Sequence, residues 1–318
     1  MVKMHADEAD IDAELVRRLL RAQFPQWADL PLERLASGGT VNAIYRLGDT
    51  LTVRLPLTAT GTSAIDWEAR WLRRLAPVLP VTIPAVVGCG TPAEGYPWAW
   101  AVQRWIEGES AMEGRLASPE PLARDLAEFI TAMRNVSLAG APAAYRGIPL
   151  AAVDRQTRAA IHDLRHTGEP FEAEAVLAAW TRAAAAPPWA GAPRWVHSDL
   201  MPSNLLLRDG RLTAVLDFST AGTGDPACDL IPAWNLLPAP AREIFRHEAG
   251  VDDFTWTRGW GWALSMAVIQ LPYYRTTNEV ISANARHVIG EVLAAQGGWL
   301  PAAFESGPTG TLSDETVT

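Results

Sequence analysis

The stretch from 196 to 230, VHSDLMPSNLLLRDGRLTAVLDFSTAGTGDPACDL, concentrates the residues most able to do chemistry. Asp199 and Asn204 flank a short loop through Met201, Pro202 and Ser203, and Asp217 closes the apolar run that follows. Three oxygen-bearing side chains therefore meet at loop ends. Carboxylate and amide oxygens are the ligands a hard cation such as Mg²⁺ takes together with substrate phosphates, and one carboxylate would remain to accept a proton. That combination spells phosphoryl transfer.

Lysine usage narrows the mechanisms available. All but one of the 27 basic residues are arginine, the exception being Lys3, so a Walker A loop and an interior Schiff base are both excluded. The formal charge of -9 opposes the phosphate neutralisation on which nucleic-acid binding depends. Two cysteines, Cys89 and Cys228, are too few for a disulfide framework and read as two small buried hydrophobes in a reducing compartment. The acidic N-terminus lacks the apolar core of a signal peptide, and the apolar run Ala263 to Leu271 is too short to cross a bilayer. A cytoplasmic chain with no nucleic-acid or membrane partner is expected. Nothing in the sequence fixes its oligomeric state.

The elements that must position these residues follow from periodicity. Ile11, Leu15, Val16, Leu19 and Leu20 share a helical face over 10–23. Three strand-like runs follow, LERLASGG, NAIYRLGD and TLTVRLP, separated by glycine-bearing turns. A helix from Thr62 to Ala76 precedes two more strands, Ala85 to Cys89 and Trp98 to Trp105. Beyond a polar connection, Ser118 and Pro119 suit the start of a helix carrying Leu122, Leu126, Phe129, Ile130 and Met133. Further helices are expected over 153–166, 171–186, 253–271 and 278–296, with one hairpin turning at Asp209-Gly210. The fold class is α+β, with a small five-stranded antiparallel lobe over 1–105, a mainly helical lobe over 106–304, and a polar tail over 305–318 expected to be disordered.

The pattern H-x-D-x₄-N at His197, Asp199 and Asn204, then the hairpin, Leu216-Asp217-Phe218, and G-D-P-A-x-D-L at 224–230, resembles the aminoglycoside phosphotransferase family of small-molecule kinases, whose fold is protein-kinase-like. The resemblance covers roughly residues 30 to 300. It implies Asp199 as catalytic base and Asn204 and Asp217 as magnesium ligands, with His197 orienting its loop and Asp229 pinning it. Two positions depart from the pattern: Ser198 stands where the family usually has glycine, and Ser219 where protein kinases have glycine.

The resemblance also assigns the nucleotide site to the first lobe. Arg54 takes the place of the phosphate-contacting lysine, and Glu68 resembles its helix partner. Ser37, Gly38, Gly39 and Thr40 occupy the position of the phosphate loop, where paired glycines let backbone N–H groups approach an anion. Gln103 to Ile106, including Trp105, resembles the hinge whose backbone binds the purine. ATP and GTP are both open as donor. The implied activity is transfer to a hydroxyl of an antibiotic-like molecule. Eleven acidic residues against five arginines from Phe218 onward favour a cationic aminoglycoside, while the aromatic residues Trp256, Trp260, Trp262, Tyr273 and Tyr274 suit a macrolide or nucleoside antibiotic. A metabolic kinase for an amino alcohol or sugar, and a catalytically silent binding module, are the alternatives. The 12-residue interval from Asp217 to Asp229 leaves no room for a long activation segment, against a protein kinase.

Overall fold

A computed structural model describes residues 9–35, 42–111, 116, 119–137, 139–169 and 172–296. Ser37 to Thr40, Ser118 and the tail lie outside the described residues.

Helix α1 (Ala13–Gln23) starts at Asp12, whose carboxylate accepts the Leu15 N–H at 2.7 Å. Its apolar stripe of Leu15, Val16, Leu19 and Leu20 covers one face of an antiparallel sheet. The strands are β1 (Leu32–Arg34), β2 (Asn42–Leu47), β3 (Leu51–Pro56), β4 (Val86–Gly90) and β5 (Trp100–Arg104), in the order β1-β2-β3-β5-β4. Alternation in β2 turns Ala43, Tyr45 and Leu47 toward α1, where they pack with Val53, Leu55, Trp100 and Val102.

Helix α2 (Thr62–Leu75), inserted after β3 as its periodicity predicts, behaves differently. Trp71, Leu72 and Leu75 pack into the core of the second lobe, and Trp71 lies 5.2 Å from Trp195 between ring centroids. The two lobes are further joined where Thr82 and Val215 exchange backbone hydrogen bonds with Thr213 and Thr82.

The second lobe comprises α3 (Pro119–Arg134), α4 (Asp154–Leu164), α5 (Ala173–Ala184), α6 (Pro232–Asn235), α7 (Ala239–Ala249), α8 (Asp253–Tyr274) and α9 (Glu279–Gln296). Its short strands are β6 (Glu109–Ser110), β7 (Arg194–Val196), β8 (Leu205–Arg208), β9 (Arg211–Val215) and β10 (Gly222–Gly224). The β8–β9 hairpin turns at Asp209 and Gly210, both at positive φ, as the dipeptide predicts. Helix α8 is buried along most of its length, and Trp256, Trp260 and Trp262 are core side chains that form no aromatic wall. It continues through Pro272, three residues past its expected end, because a hydrogen bond from Arg275 N to Leu271 O closes the turn around the proline. Cys228 is buried as expected, but Cys89 is exposed on β4. Among the described residues no helix is long and apolar enough to cross a membrane.

A segment that periodicity does not reveal runs between α3 and α4. Residues 142–147 lie against β10: Thr223 N donates to Pro142 O, Ala144 N to Thr223 O, Tyr145 N to Thr220 O, and Asp225 N to Gly147 O at 2.7 Å. The approach requires glycine in β10, since a Cβ on Gly222 would lie 2.6 Å from Ala144 N and Pro142 O. Gly222→Ala is therefore expected to lower stability by about 1–3 kcal/mol, read as a lower urea midpoint at unchanged slope.

Candidate active site

The loop after β7 is held by its backbone. Asp229, almost fully buried, accepts His197 N–H at 2.8 Å and Ser198 N–H at 2.7 Å. Burial pushes the Asp229 carboxyl up, against the pull of His197 and these two N–H donors. The loop then bends through Ser198 at φ 65°, a left-handed conformation that glycine adopts freely and serine at a cost of about 1–2 kcal/mol. Ser198 is compensated, because its Oγ donates to Thr220 O at 2.8 Å. His197 Nδ1 accepts Asp199 N–H at 3.2 Å, which places the ring proton on Nε2, donating to Leu216 O at 2.9 Å. The imidazole is thus a spacer between the loop and the end of β9.

That spacing brings the oxygen-bearing side chains together. Asn204 Nδ2 donates to Asp199 O at 2.9 Å and Asp199 Oδ2 at 3.2 Å, while Leu216 N donates to Asn204 O at 2.8 Å and sets Asp217 beside it. With its Nδ2 so used, Asn204 keeps an amide oxygen available. Asp217, also left-handed at φ 55°, spends Oδ1 on Arg54 Nη2 at 3.1 Å, Ser219 Oγ at 2.6 Å and Ser219 N at 3.3 Å. Burial opposes its ionisation, but Arg54, Ser219 and His197 outweigh that and hold its carboxyl below the usual range. One amide oxygen and one carboxylate oxygen suit Mg²⁺, which takes few protein ligands and completes its shell with phosphate and water. Among the described residues no group of three or more His, Cys, Asp or Glu is placed to hold a metal ion.

In the first lobe, Arg54 Nη1 donates to Glu68 Oε1 at 2.5 Å, joining β3 to α2 as expected. With the Asn42 amide oriented oxygen-inward, Asn42 accepts from Arg54 Nη2 at 3.0 Å and Nε at 3.1 Å. Burial disfavours the charged guanidinium, yet the two carboxylates dominate and raise its pKa. Glu68 is wholly buried, and burial raises its pKa despite Arg54. The Gln103 side chain turns toward the same pair, its Nε2 donating to Glu68 Oε2 at 2.9 Å. Trp105 N donates to Thr50 O at 2.8 Å, its Nε1 to Glu107 Oε1 at 2.6 Å, and the Arg46 guanidinium lies 4.3 Å from its ring centroid.

Three participants receive no role from the sequence. Asn42 and Ser219 each sit next to an identified motif, and the signal was adjacency alone. Arg146 carried no local signal: it lies more than 50 residues from the loop, yet its Nη1 donates to Asp199 Oδ1 at 2.9 Å and to Ser198 O at 2.8 Å.

Asp199 and Asn204 are thus joined in one loop, and Asp217 beside them is reached by the buried Arg54–Glu68 pair of the first lobe. The family profile described as "Phosphotransferase enzyme family" matches residues 32–263, and the chain belongs to that family. Its fold is that of the GDP complex of wild-type aminoglycoside 2'-phosphotransferase-IIIa, at 19% identity and a TM-score of 0.67, covering 90% of this chain and 100% of that one. The streptomycin-ATP-APH(2")-IIa ternary complex superposes at 0.57 with 17% identity, covering 89% and 97%. Macrolide 2'-phosphotransferase MphH from Brachybacterium faecium, as apoenzyme, does so at 0.58 with 21% identity, covering 88% and 98%. No curated protein sequence matches the chain. The enzyme is thus a phosphotransferase acting on an alcohol group.

Removing the guanidinium would strand the buried Glu68 carboxylate. Arg54→Ala is expected to cost about 3–5 kcal/mol of stability, and Arg54→Lys clearly less, because the charge survives while the fork that reaches Asn42, Glu68 and Asp217 together does not. Chemical denaturation of the two variants measures the difference.

Proposed function

We propose that the protein transfers the γ-phosphate of ATP or GTP to a hydroxyl of an antibiotic-like small molecule, with Asp199 as base. The observation that carries this reading is the hydrogen bond from Asn204 to the Asp199 carboxylate at 3.2 Å, which couples the base to the cation site. Relatives of the same fold crystallised with GDP and with ATP support a nucleotide donor. Asp199 would orient the acceptor hydroxyl and take its proton as the new O–P bond forms and the bond to the departing nucleoside diphosphate breaks. Arg54 would contact the nucleotide phosphates from the floor of the first lobe, with Glu68 holding it. Asn204 and Asp217 would hold Mg²⁺, which when bound neutralises phosphate charge. Ser37, Gly38, Gly39 and Thr40 would cover the phosphates, and the backbone around Gln103 and Trp105 would border the base of the nucleotide.

The acceptor class turns on where the acidic residues of the second lobe are spent. Asp225 pairs with Arg258 at 2.6 Å, Asp229 lies under the loop, and Asp252 caps α8. Glu248 faces Arg124, Asp253 binds Arg246, Glu279 faces Arg286, and Glu291 binds Arg242. These pairings weaken the charge argument for a polycationic aminoglycoside, and burial of Trp256, Trp260 and Trp262 equally weakens the aromatic argument for a macrolide or nucleoside antibiotic, so an acceptor panel decides between them.

Two measurements test the reading. Asp199→Ala is expected to lower kcat by a factor of about 10² to 10⁴ while nucleotide binding stays intact, whereas Asp217→Ala should weaken Mg-nucleotide binding as well. Asp199→Ala retaining a tenth of wild-type kcat would remove Asp199 from the role of base. If Mg²⁺ supported neither nucleotide hydrolysis nor transfer, a silent binding module would be the better account. On an acceptor panel resolved by product mass, kcat/KM for a neutral acceptor is expected to hold steady from about 0.01 to 0.15 M salt, where a polycation steered by the cleft would lose rate as the Debye length shrinks.

A further inference from the structure

The catalytic loop contains no cation of its own. Between Asp199 and Asn204 stand Leu200, Met201, Pro202 and Ser203, and the chain's one lysine is at position 3. The base must nevertheless work beside the phosphates of a nucleotide, where a free carboxylate would be repelled and would swing among rotamers. The guanidinium that meets it comes from elsewhere, carried by the 142–147 segment.

We infer that Arg146 is the positioning residue of the Asp199 base. The inference rests on the reading of Asp199 as base and goes beyond it. Nη1 has two protons, and both are used on the loop: one on Asp199 Oδ1 at 2.9 Å, the other on Ser198 O at 2.8 Å. Asn204 holds the opposite oxygen, Oδ2. The carboxylate is thereby fixed at both ends, and because each carboxylate oxygen can accept more than once, lone pairs remain for the acceptor hydroxyl. The second bond fastens the peptide that follows the left-handed Ser198, so the same cation holds the side chain of the base and the backbone that carries it.

The support beneath Arg146 is itself built. Tyr145 N donates to Thr220 O and Asp225 N donates to Gly147 O, anchoring the chain on either side of it. Gly147, at φ 100°, lies within 3.0 Å of the position a Gly224 Cβ would take, so this corner is packed backbone on backbone. The guanidinium carbon lies 5.2 Å from the Tyr145 ring centroid, a cation–π contact that limits its swing. The Asp199 side chain is 23% exposed, so replacing Arg146 leaves no fully buried charge behind.

The test is a double-mutant cycle on the full chain with Mg²⁺, nucleotide and whichever acceptor the panel returns. Arg146→Ala is expected to lower kcat by about 10- to 100-fold with nucleotide KM changed less than about threefold, since a base displaced by an ångström loses rate rather than affinity. Arg146→Lys, which restores the charge but can satisfy only part of the geometry, should recover part of that loss, and added guanidinium ion should partly rescue Arg146→Ala. In an Asp199→Asn background, Arg146→Ala should cost less than about threefold more. A purely structural role predicts the same loss in both backgrounds, no rescue, and a fall in Tm that tracks the activity. Either that pattern or wild-type kcat in Arg146→Ala would overturn the inference. Near-wild-type kcat in Asp199→Asn would instead overturn the assignment of the base, and the positioning role with it.

Discussion

A guanidinium and a wholly buried carboxylate are each costly to remove from water, and Arg54 and Glu68 are tolerable only because each answers the other. The rest of the site depends on that exchange. Glu68 is fixed by α2, whose distal half, Trp71, Leu72 and Leu75, is packed into the second lobe, so the position of Arg54 is set by both lobes at once. Its Nη2 then reaches Asp217, the proposed metal ligand. A point-charge lysine could satisfy the carboxylates, but the planar fork also takes Asn42, giving β2, β3, α2 and the loop after β9 one common corner.

A second fixed point lies under the catalytic loop, and it works through backbone. Asp229 binds two consecutive N–H groups, His197 spaces the loop from Leu216, and Ser198 turns through a left-handed conformation. The two departures from the family pattern find their explanation here. Ser198 takes a conformation that favours glycine, and offsets the strain with its Oγ bond to Thr220 O; Ser219 uses N–H and Oγ on Asp217, a contact half of which glycine could not make. Left-handed non-glycine residues gathered at Ser198 and Asp217 fit the tendency of strain to collect where geometry matters for chemistry.

What could be read from the sequence was whatever local spacing encodes. The five-stranded sheet, α1, α2, the Asp209-Gly210 hairpin and the helices near 154, 173, 253 and 279 all announce themselves by periodicity or turn chemistry, and Asp199, Asn204 and Asp217 by a compact motif. The pairing of β7 with β10 and the seating of 142–147 did not, because strands of three residues have no period and their partners are distant in the chain. Helix α7 begins Ala-Pro-Ala after Pro238, which reads as a breaker, although proline in a first turn is compatible with a helix. Gln103 was placed at the hinge by its strand, but which way its side chain turned depended on Glu68, thirty-five residues away.

Charge shows the same limit more sharply. Summed along the sequence, the acidic residues after Phe218 look like a field aimed at a cationic acceptor; in three dimensions seven of the eight among the described residues serve as helix cap, loop pin or partners for individual arginines. An excess of one sign acts at a distance only when the charges face a common cleft and lack local counter-ions. Asp225 is the clearest case, bound to Arg258 in the interior where neither projects any field into the solvent cleft. Arg146 is the converse: a single cation, invisible in any charge sum, that sits against the one carboxylate on which the proposed chemistry turns. A sum of charges along a chain therefore says little about what approaches a site, and a single side chain seated against the reacting group, as Arg146 is against Asp199, says more.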